Sequence, residues 1–256
     1  MRRILLTGAS SGLGAGLARS YAAAGVELGL VGRNGARLEA VAAECRAAGA
    51  AVRTGEFDVA DPGPIGDWIA AWQTTAPIDL AVACAGTSAG PAAIGQAEGI
   101  GLATRQVRTN LLGCMNTLEP LLPAMIAARA GHLAVVASVA GYRGLPYSPA
   151  YSASKAGVRA YGEALRALLR PVGIAVTVIV PGFFDTPMTD RFKGDKPMLK
   201  SLPDMVRVVR RGLDRRRPRI VYPRLLGLGL QAADLLPAIV GDEILRRVPF
   251  HIEPGA

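Results

Sequence analysis

A chain of 256 residues, half of them hydrophobic and few aromatic, suits one large α/β domain or two small ones. Its net charge of +9 is local: eight arginines between 207 and 224 face one acid, Asp214, and supply +7, which argues against a general polyanion-binding surface. Two histidines, His132 and His251, and three scattered cysteines, Cys45, Cys84 and Cys114, argue against a histidine metal site and a disulfide framework.

The first apolar run is too short for a signal peptide, and no run of 18 or more apolar residues suggests a membrane span. The expectation is a cytoplasmic protein. Residues 3–6 predict a buried strand, followed by Thr7-Gly8-Ala9-Ser10-Ser11-Gly12-Leu13-Gly14. A helix follows, with Leu13, Leu17 and Tyr21 at helical spacing, and stops at Gly25. Strand, glycine turn and helix in that order place backbone N–H groups where a pyrophosphate can approach without Cβ atoms in the way. The spacing is G-x-x-x-G-x-G, and a tight turn without a ligand is the alternative.

A second strand over 26–31 ends at Gly32-Arg33-Asn34. An acid at that strand end would bind ribose hydroxyls and repel a 2′-phosphate. Gly32 stands in its place, Arg33 follows, and Arg37 lies one helical turn on. This pattern favours NADP over NAD, the alternative being a solvated loop arginine. A helix over 36–48 buries Leu38, Val41, Ala42 and Cys45. A third strand over 51–57 leads to Asp58-Val59, and Asp61-Pro62 starts a helix with Asp as cap.

Residues 78–83 form the fourth strand, closing in Cys84-Ala85-Gly86. After a small-residue loop over 87–101 comes a long helical pattern, 102–128, bent near Pro120 and Pro123 and containing Asn110. A strand over 132–137 ends at Ser138, a helix covers 151–170, and a strand over 174–180 ends at Pro181-Gly182. Alternating strands and helices predict a Rossmann-like, doubly wound parallel sheet with helices on both faces, an α/β/α sandwich of three layers. No composition break marks a second domain.

Tyr151 and Lys155 share a helix face at i and i+4. A phenol is a poor base at neutral pH, and an adjacent ammonium favours its ionised form. Alone, the pair is as consistent with an exposed helix face. The ordered set T-G-A-S-S-G-L-G (7–14), D-V (58–59), C-A-G (84–86), Asn110, Ser138, Y-S-A-S-K (151–155) and P-G-F-F-D-T (181–186) resembles the short-chain dehydrogenase/reductase family.

That resemblance implies reversible hydride transfer between NADP(H) and a carbonyl or secondary alcohol. It implies Tyr151 as general acid/base, Lys155 on the nicotinamide ribose, Ser138 orienting the substrate oxygen and Asn110 holding a relay water. Gly8, Ser10, Gly12, Leu13 and Gly14 would form the pyrophosphate turn. Arg33 would meet the 2′-phosphate, Asp58 and Val59 the adenine, Ala85 and Gly86 the adenine-side ribose, and Thr186 the carboxamide. Where the family commonly has Asn-Asn-Ala-Gly, this chain has Ala83-Cys84-Ala85-Gly86, which questions the tie between neighbouring strands. Cys84 reads as a packing residue rather than a reactive thiol. A catalytically silent NADPH sensor or scaffold is the competing class.

Residues 183–203 predict a flap over the substrate, whose Phe183, Phe184, Met188, Phe192 and Met198 imply an apolar compound. An edge strand over 219–223 precedes an apolar tail over 225–240. The arginines with this tail suggest a peripheral membrane contact through 207–240 or an anionic substrate handle, against a solvated helix and a covering tail. Nucleic acid is disfavoured because the cluster lacks interleaved aromatics. A homo-oligomer, dimer or tetramer, through the two long helices is implied by resemblance only.

Overall fold

The computed structural model describes residues 1–91, 93, 95–246 and 250–252. Seven strands form one parallel sheet in the order β3-β2-β1-β4-β5-β6-β8. These are β1 (Arg2–Thr7), β2 (Val26–Gly32), β3 (Ala51–Glu56), β4 (Leu80–Ala83), β5 (His132–Val136), β6 (Ala175–Pro181) and β8 (Arg219–Tyr222). The order reverses beside β1, between β2 and β4, so the connections after β1 and β4 diverge there. In such sheets a ligand crevice forms at the switch point, outside the carboxyl ends of the strands.

Both faces of the sheet are covered, which is why its strands read as apolar runs rather than alternating ones. One face packs α1 (Gly12–Tyr21), α2 (Gly35–Ala47) and α8 (Leu202–Asp214) through Leu13, Leu17, Leu38, Val41, Met205 and Val209. On the other lie α3 (Pro62–Gln73), a long helix over Ile100–Ala128, and α7 (Pro149–Leu169). Ile65, Ile69, Leu118, Leu121, Val158 and Leu165 fill that layer.

The long helix is less regular than its sequence suggests. Regular turns α4 (Ile100–Val107), α5 (Gly113–Leu118) and α6 (Leu122–Ala128) are separated by a π turn over Arg108–Leu112 and a 3₁₀ turn over Glu119–Leu121. The expected irregularity at Pro120 is the 3₁₀ turn, because a ring without an N–H cannot continue the i→i−4 ladder. The π turn, which contains Asn110, was not anticipated. By length and composition this helix is apolar enough to cross a membrane. Its Gln106, Asn110, Cys114, Leu118, Leu121 and Met125 are buried within the fold.

Beyond β8, α9 (Arg224–Asp234) and α10 (Ala238–Arg246) pack loosely, leaving Leu225, Leu228, Leu235 and Ile239 exposed. Arg143, in the loop after Ser138, donates to the carbonyl oxygens of Ala233 and Ala238 and pairs with Asp242 at 2.9 Å, tying the two helices to the sheet. Within the expected flap, β7 (Phe192–Gly194) pairs antiparallel with β9 (Phe250–Ile252).

Among the described residues, three of the eight arginines of the run form ion pairs within the fold, and all but Arg210 are exposed. Arg207 pairs with Asp204, Arg210 with Asp214 at 2.8 Å, and Arg219 with Glu163. Arg210 also stacks 3.8 Å from the Tyr21 ring centroid, and Arg2 adds a second cation to Asp214.

Charged braces also sit at the amino ends of the strands. Buried Arg3 meets Glu27 at 3.0 Å, donates to the carbonyl oxygens of Trp72 and Ala76, and stacks on the Trp72 ring. Glu27 further accepts from Arg53 at 2.7 Å and from the Trp72 indole at 2.9 Å. A buried carboxylate with three donors is a tolerable charge where an unpaired one is not.

Candidate active site

At the opposite, carboxyl ends of the strands a cleft of about 550 Å³ opens. Its floor is the turn after β1. Gly14 is closed to any side chain, since a Cβ there would sit 2.4 Å from the Gly8 carbonyl oxygen. Gly8 has φ +66° and its Cβ would fall 2.8 Å from Ala85 Cα. The turn is thus pressed onto itself and onto the loop after β4. Ser11 precedes α1 without capping it, and no acid stands in the first turn. Gly14 turns its N–H to Cys84, while the Gly12 and Leu13 N–H groups, with no side-chain cap, are free to meet an anion.

Ser10, Gly12 and Leu13 line the same floor, with Thr186 and Met188 from the segment after β6 opposite. Toward the outer end, Arg33, Asn34 and Arg37 stand with Asp58 and Val59. Arg33 and Asp58 are joined by an exposed ion pair at 3.3 Å. Ala85 and Gly86 border the cleft midway, and Tyr151 and Lys155 line its inner end. Thirteen residues expected at a site from sequence (Gly8, Ser10, Gly12, Leu13, Gly14, Arg33, Asp58, Val59, Ala85, Gly86, Tyr151, Lys155 and Thr186) border this one cavity.

A family model described as short chain dehydrogenase matches residues 2–197. The chain belongs to the short-chain dehydrogenase family. It is 37% identical over 252 residues to an uncharacterized oxidoreductase of Myxococcus xanthus, covering 96% of this chain and 97% of that one. Among solved structures, a short-chain dehydrogenase from Sphingobium yanoikuyae in complex with NADPH superimposes with a TM-score of 0.80 at 24% identity, covering 97% and 96% of the two chains. A 3-oxoacyl-[acyl-carrier protein] reductase from Brucella melitensis with bound NAD gives a TM-score of 0.74 at 25% identity, covering 86% and 89%.

Within this short-chain dehydrogenase, Ser138 is buried next to Tyr151, with which it hydrogen-bonds, and Asn110 is buried deeper. Ser138 follows β5 and its Oγ accepts from the Ala140 N–H at 3.1 Å, capping the 3₁₀ turn Val139–Gly141. The Asn110 amide is fully engaged with protein. Oδ1 accepts from the Thr87 N–H at 2.7 Å, while Nδ2 donates to the Thr87 carbonyl oxygen and to Ser154 Oγ, each at 2.9 Å. Both amide hydrogens are used, so this side chain braces the loop after β4 and cannot itself donate to a relay water.

Electrostatics at the inner end depart from the expected phenol held low by an ammonium. Burial pushes the Tyr151 phenol above its ordinary value, against an opposing effect of hydrogen bonding with Ser138. Burial also lowers the Lys155 ammonium to about 8. Lys155 Nζ stands 5.8 Å from the Tyr151 ring centroid and donates to the Val136 carbonyl oxygen at 2.8 Å. For Tyr151, desolvation outweighs the hydrogen bond with Ser138. Cys84, pushed up by burial to about 11, has the inert character expected of a packing thiol.

Two neighbours of the site, both within the sequence motifs, are given no role by sequence alone. Thr7 Oγ1 accepts from both the Cys84 N–H at 3.1 Å and the Ala85 N–H at 3.2 Å. It supplies the strand-to-strand tie whose loss the Ala83-Cys84 substitution suggested. The available signal was a buried hydroxyl at the last position of a central strand, directly before the glycine turn. Ser154, which relays Asn110 to the Tyr151 carbonyl oxygen at 2.7 Å, was likewise unread.

Proposed function

We propose that this oxidoreductase is NADP(H)-dependent and interconverts an apolar carbonyl compound and its secondary alcohol, with Tyr151 as general acid/base. The observation that carries the reading is a single cleft running from the glycine turn, past Arg33 and Arg37, to Tyr151 and Lys155. The turn fits a dinucleotide: Gly8 and Gly14 bring backbone together where side chains would block it, and the uncapped α1 terminus suits a pyrophosphate. Arg33 and Arg37 favour a 2′-phosphate at the outer end, with no acid at Gly32 to repel it. When bound, the nicotinamide supplies the hydride.

The chain's own part in reduction is proton delivery. Tyr151 gives its phenolic proton to the substrate oxygen as the carbonyl carbon gains its new C–H bond, and it recovers a proton before the next cycle. A raised phenol pKa suits that role, because the group is protonated at neutral pH. Ser138, hydrogen-bonded with Tyr151, orients the same oxygen. Lys155 spends one of its three donors on Val136 and offers the others to ribose hydroxyls. Apolar substrates are supported by Phe184, Pro187 and Met188, which border the cleft beside Tyr151 and Lys155.

Tyr151→Phe tests this reading. It should bind NADPH as the parent does and lose at least 10²–10⁴ of the turnover with a ketone panel. Undiminished turnover would end the tyrosine assignment, and a parent that binds NADPH but reduces none of the panel would favour a sensor.

A further inference from the structure

The long helix grips the segment after β4 with two amides, one turn apart. Asn110 holds both backbone groups of Thr87. Gln106, fully buried, holds one backbone group two residues later: its Oε1 accepts from the Ala89 N–H at 2.9 Å. Each amide then reaches on toward Tyr151. Asn110 donates to Ser154 Oγ, which donates to the Tyr151 carbonyl oxygen. Gln106 Nε2 donates to Glu98 Oε1 at 2.6 Å, and Glu98 Oε2 accepts from the Ala150 N–H at 3.0 Å. Ser148, also fully buried, closes the second arm by donating from Oγ to the Ala89 carbonyl oxygen at 3.2 Å.

Tyr151 therefore sits between two hydrogen-bonded arms, one ending on its own carbonyl and the other on the peptide N–H of the preceding residue. We propose that Glu98 and Gln106 are positioning residues that set the Tyr151 phenol in the cleft by holding the first turn of α7 against the loop after β4. A loop carboxylate is chemically suited to this. Two acceptor oxygens take one N–H from the helix start and one from the amide, a pairing that no single neutral hydroxyl reproduces. Because N–H groups in the first turn of a helix have no intrahelical acceptor, Glu98 supplies the Ala150 N–H with a partner. A misplacement of about 1 Å at a catalytic group costs roughly a hundredfold in rate.

This inference rests on the reductase reading, so its test has one readout that needs no turnover. Glu98→Ala and Glu98→Gln are compared with the parent for ketone reduction, NADPH dissociation constant by protein fluorescence, and amide hydrogen exchange. Glu98→Ala should lower kcat tenfold to a hundredfold while NADPH affinity stays within twofold. Exchange over 148–152 should rise at least tenfold, with no change over 132–136. Glu98→Gln keeps one acceptor for Ala150 and should recover part of both losses. Unaltered kcat and exchange in Glu98→Ala would overturn the proposal, as would parallel loss of NADPH affinity and of protection in β5. A parent without reductase activity would refute the parent reading, and exchange over 148–152 would still decide whether Glu98 holds this turn.

Discussion

Lys155 is held to the end of β5 by a hydrogen bond from its Nζ to the Val136 carbonyl oxygen, 2.8 Å long. That bond fixes a desolvated ammonium beside Tyr151, and burial lowers its pKa to about 8. A lowered pKa means the charge is present below about 8 and disappears as pH rises through it. In the free enzyme, kcat/KM for carbonyl reduction should therefore fall on the alkaline side of pH 8. Lys155→Met should be slower by at least tenfold and lack that limb between pH 6 and 9. An identical limb in the variant would assign it to another group.

Arg33 faces the outer cleft while paired with Asp58. Removing its guanidinium deletes a charge-assisted contact to a phosphate, worth about 1.5–3 kcal/mol. Arg33→Ala should raise KM for NADPH tenfold or more and KM for NADH less than threefold. Steady-state kinetics with both cofactors decide it; equal increases would remove Arg33 from cofactor choice.

Thr7 is buried, and its hydroxyl is the acceptor for two N–H groups. Thr7→Val preserves shape and leaves both donors without that partner, at about 1–3 kcal/mol for each buried group left unsatisfied. Thermal unfolding should shift down by at least about 5 °C, with Thr7→Ser close to the parent. A Val variant as stable as the parent would mean the two N–H groups find other partners.

His132 is buried and its Nε2 lies 2.8 Å from Thr177 Oγ1. Thr177 gives its own hydroxyl proton to the Arg217 carbonyl oxygen, so the imidazole is the donor in this pair. Burial foremost, helped by Arg216 and Arg2, lowers His132 to about 4. The unfolded chain takes up the proton first on acidification. Stability is thus complete above about 6.5 and is lost as pH falls through 4, by about 3 kcal/mol. Urea unfolding at pH 7 and pH 4 should show this difference in the parent and less than half of it in His132→Leu.

Sheet and cleft were legible because buried parallel strands are near-continuous apolar runs, such as residues 4–6 and 133–136, and because their ends carry the glycines and hydroxyls. Strand limits moved where side chains replaced the ladder: β4 starts at Leu80 because Asp79 engages Arg3 through both its backbone and its carboxylate. The π turn at Asn110 left no trace, since one extra residue in a helical turn does not disturb an apolar stripe already mixed with polar side chains. Some partners of the arginine run could not be read from the chain because they lie far off in it: the Glu163 carboxylate is 56 residues from Arg219, and the Ser20 carbonyl oxygen is 190 from Arg210. Proximity alone also misjudged Tyr151, whose phenol responds more to lost water than to the nearby cation.

Arg3, Glu27, Asp79 and His132 cluster at strand beginnings, whereas the cleft occupies strand endings. Mechanical firmness and chemical versatility are thereby separated along the length of each strand. Loops at the reactive rim can accept insertions or exchanged side chains without loosening the anchorage, and damage to the anchorage will register as reduced yield of folded protein before it registers as altered selectivity.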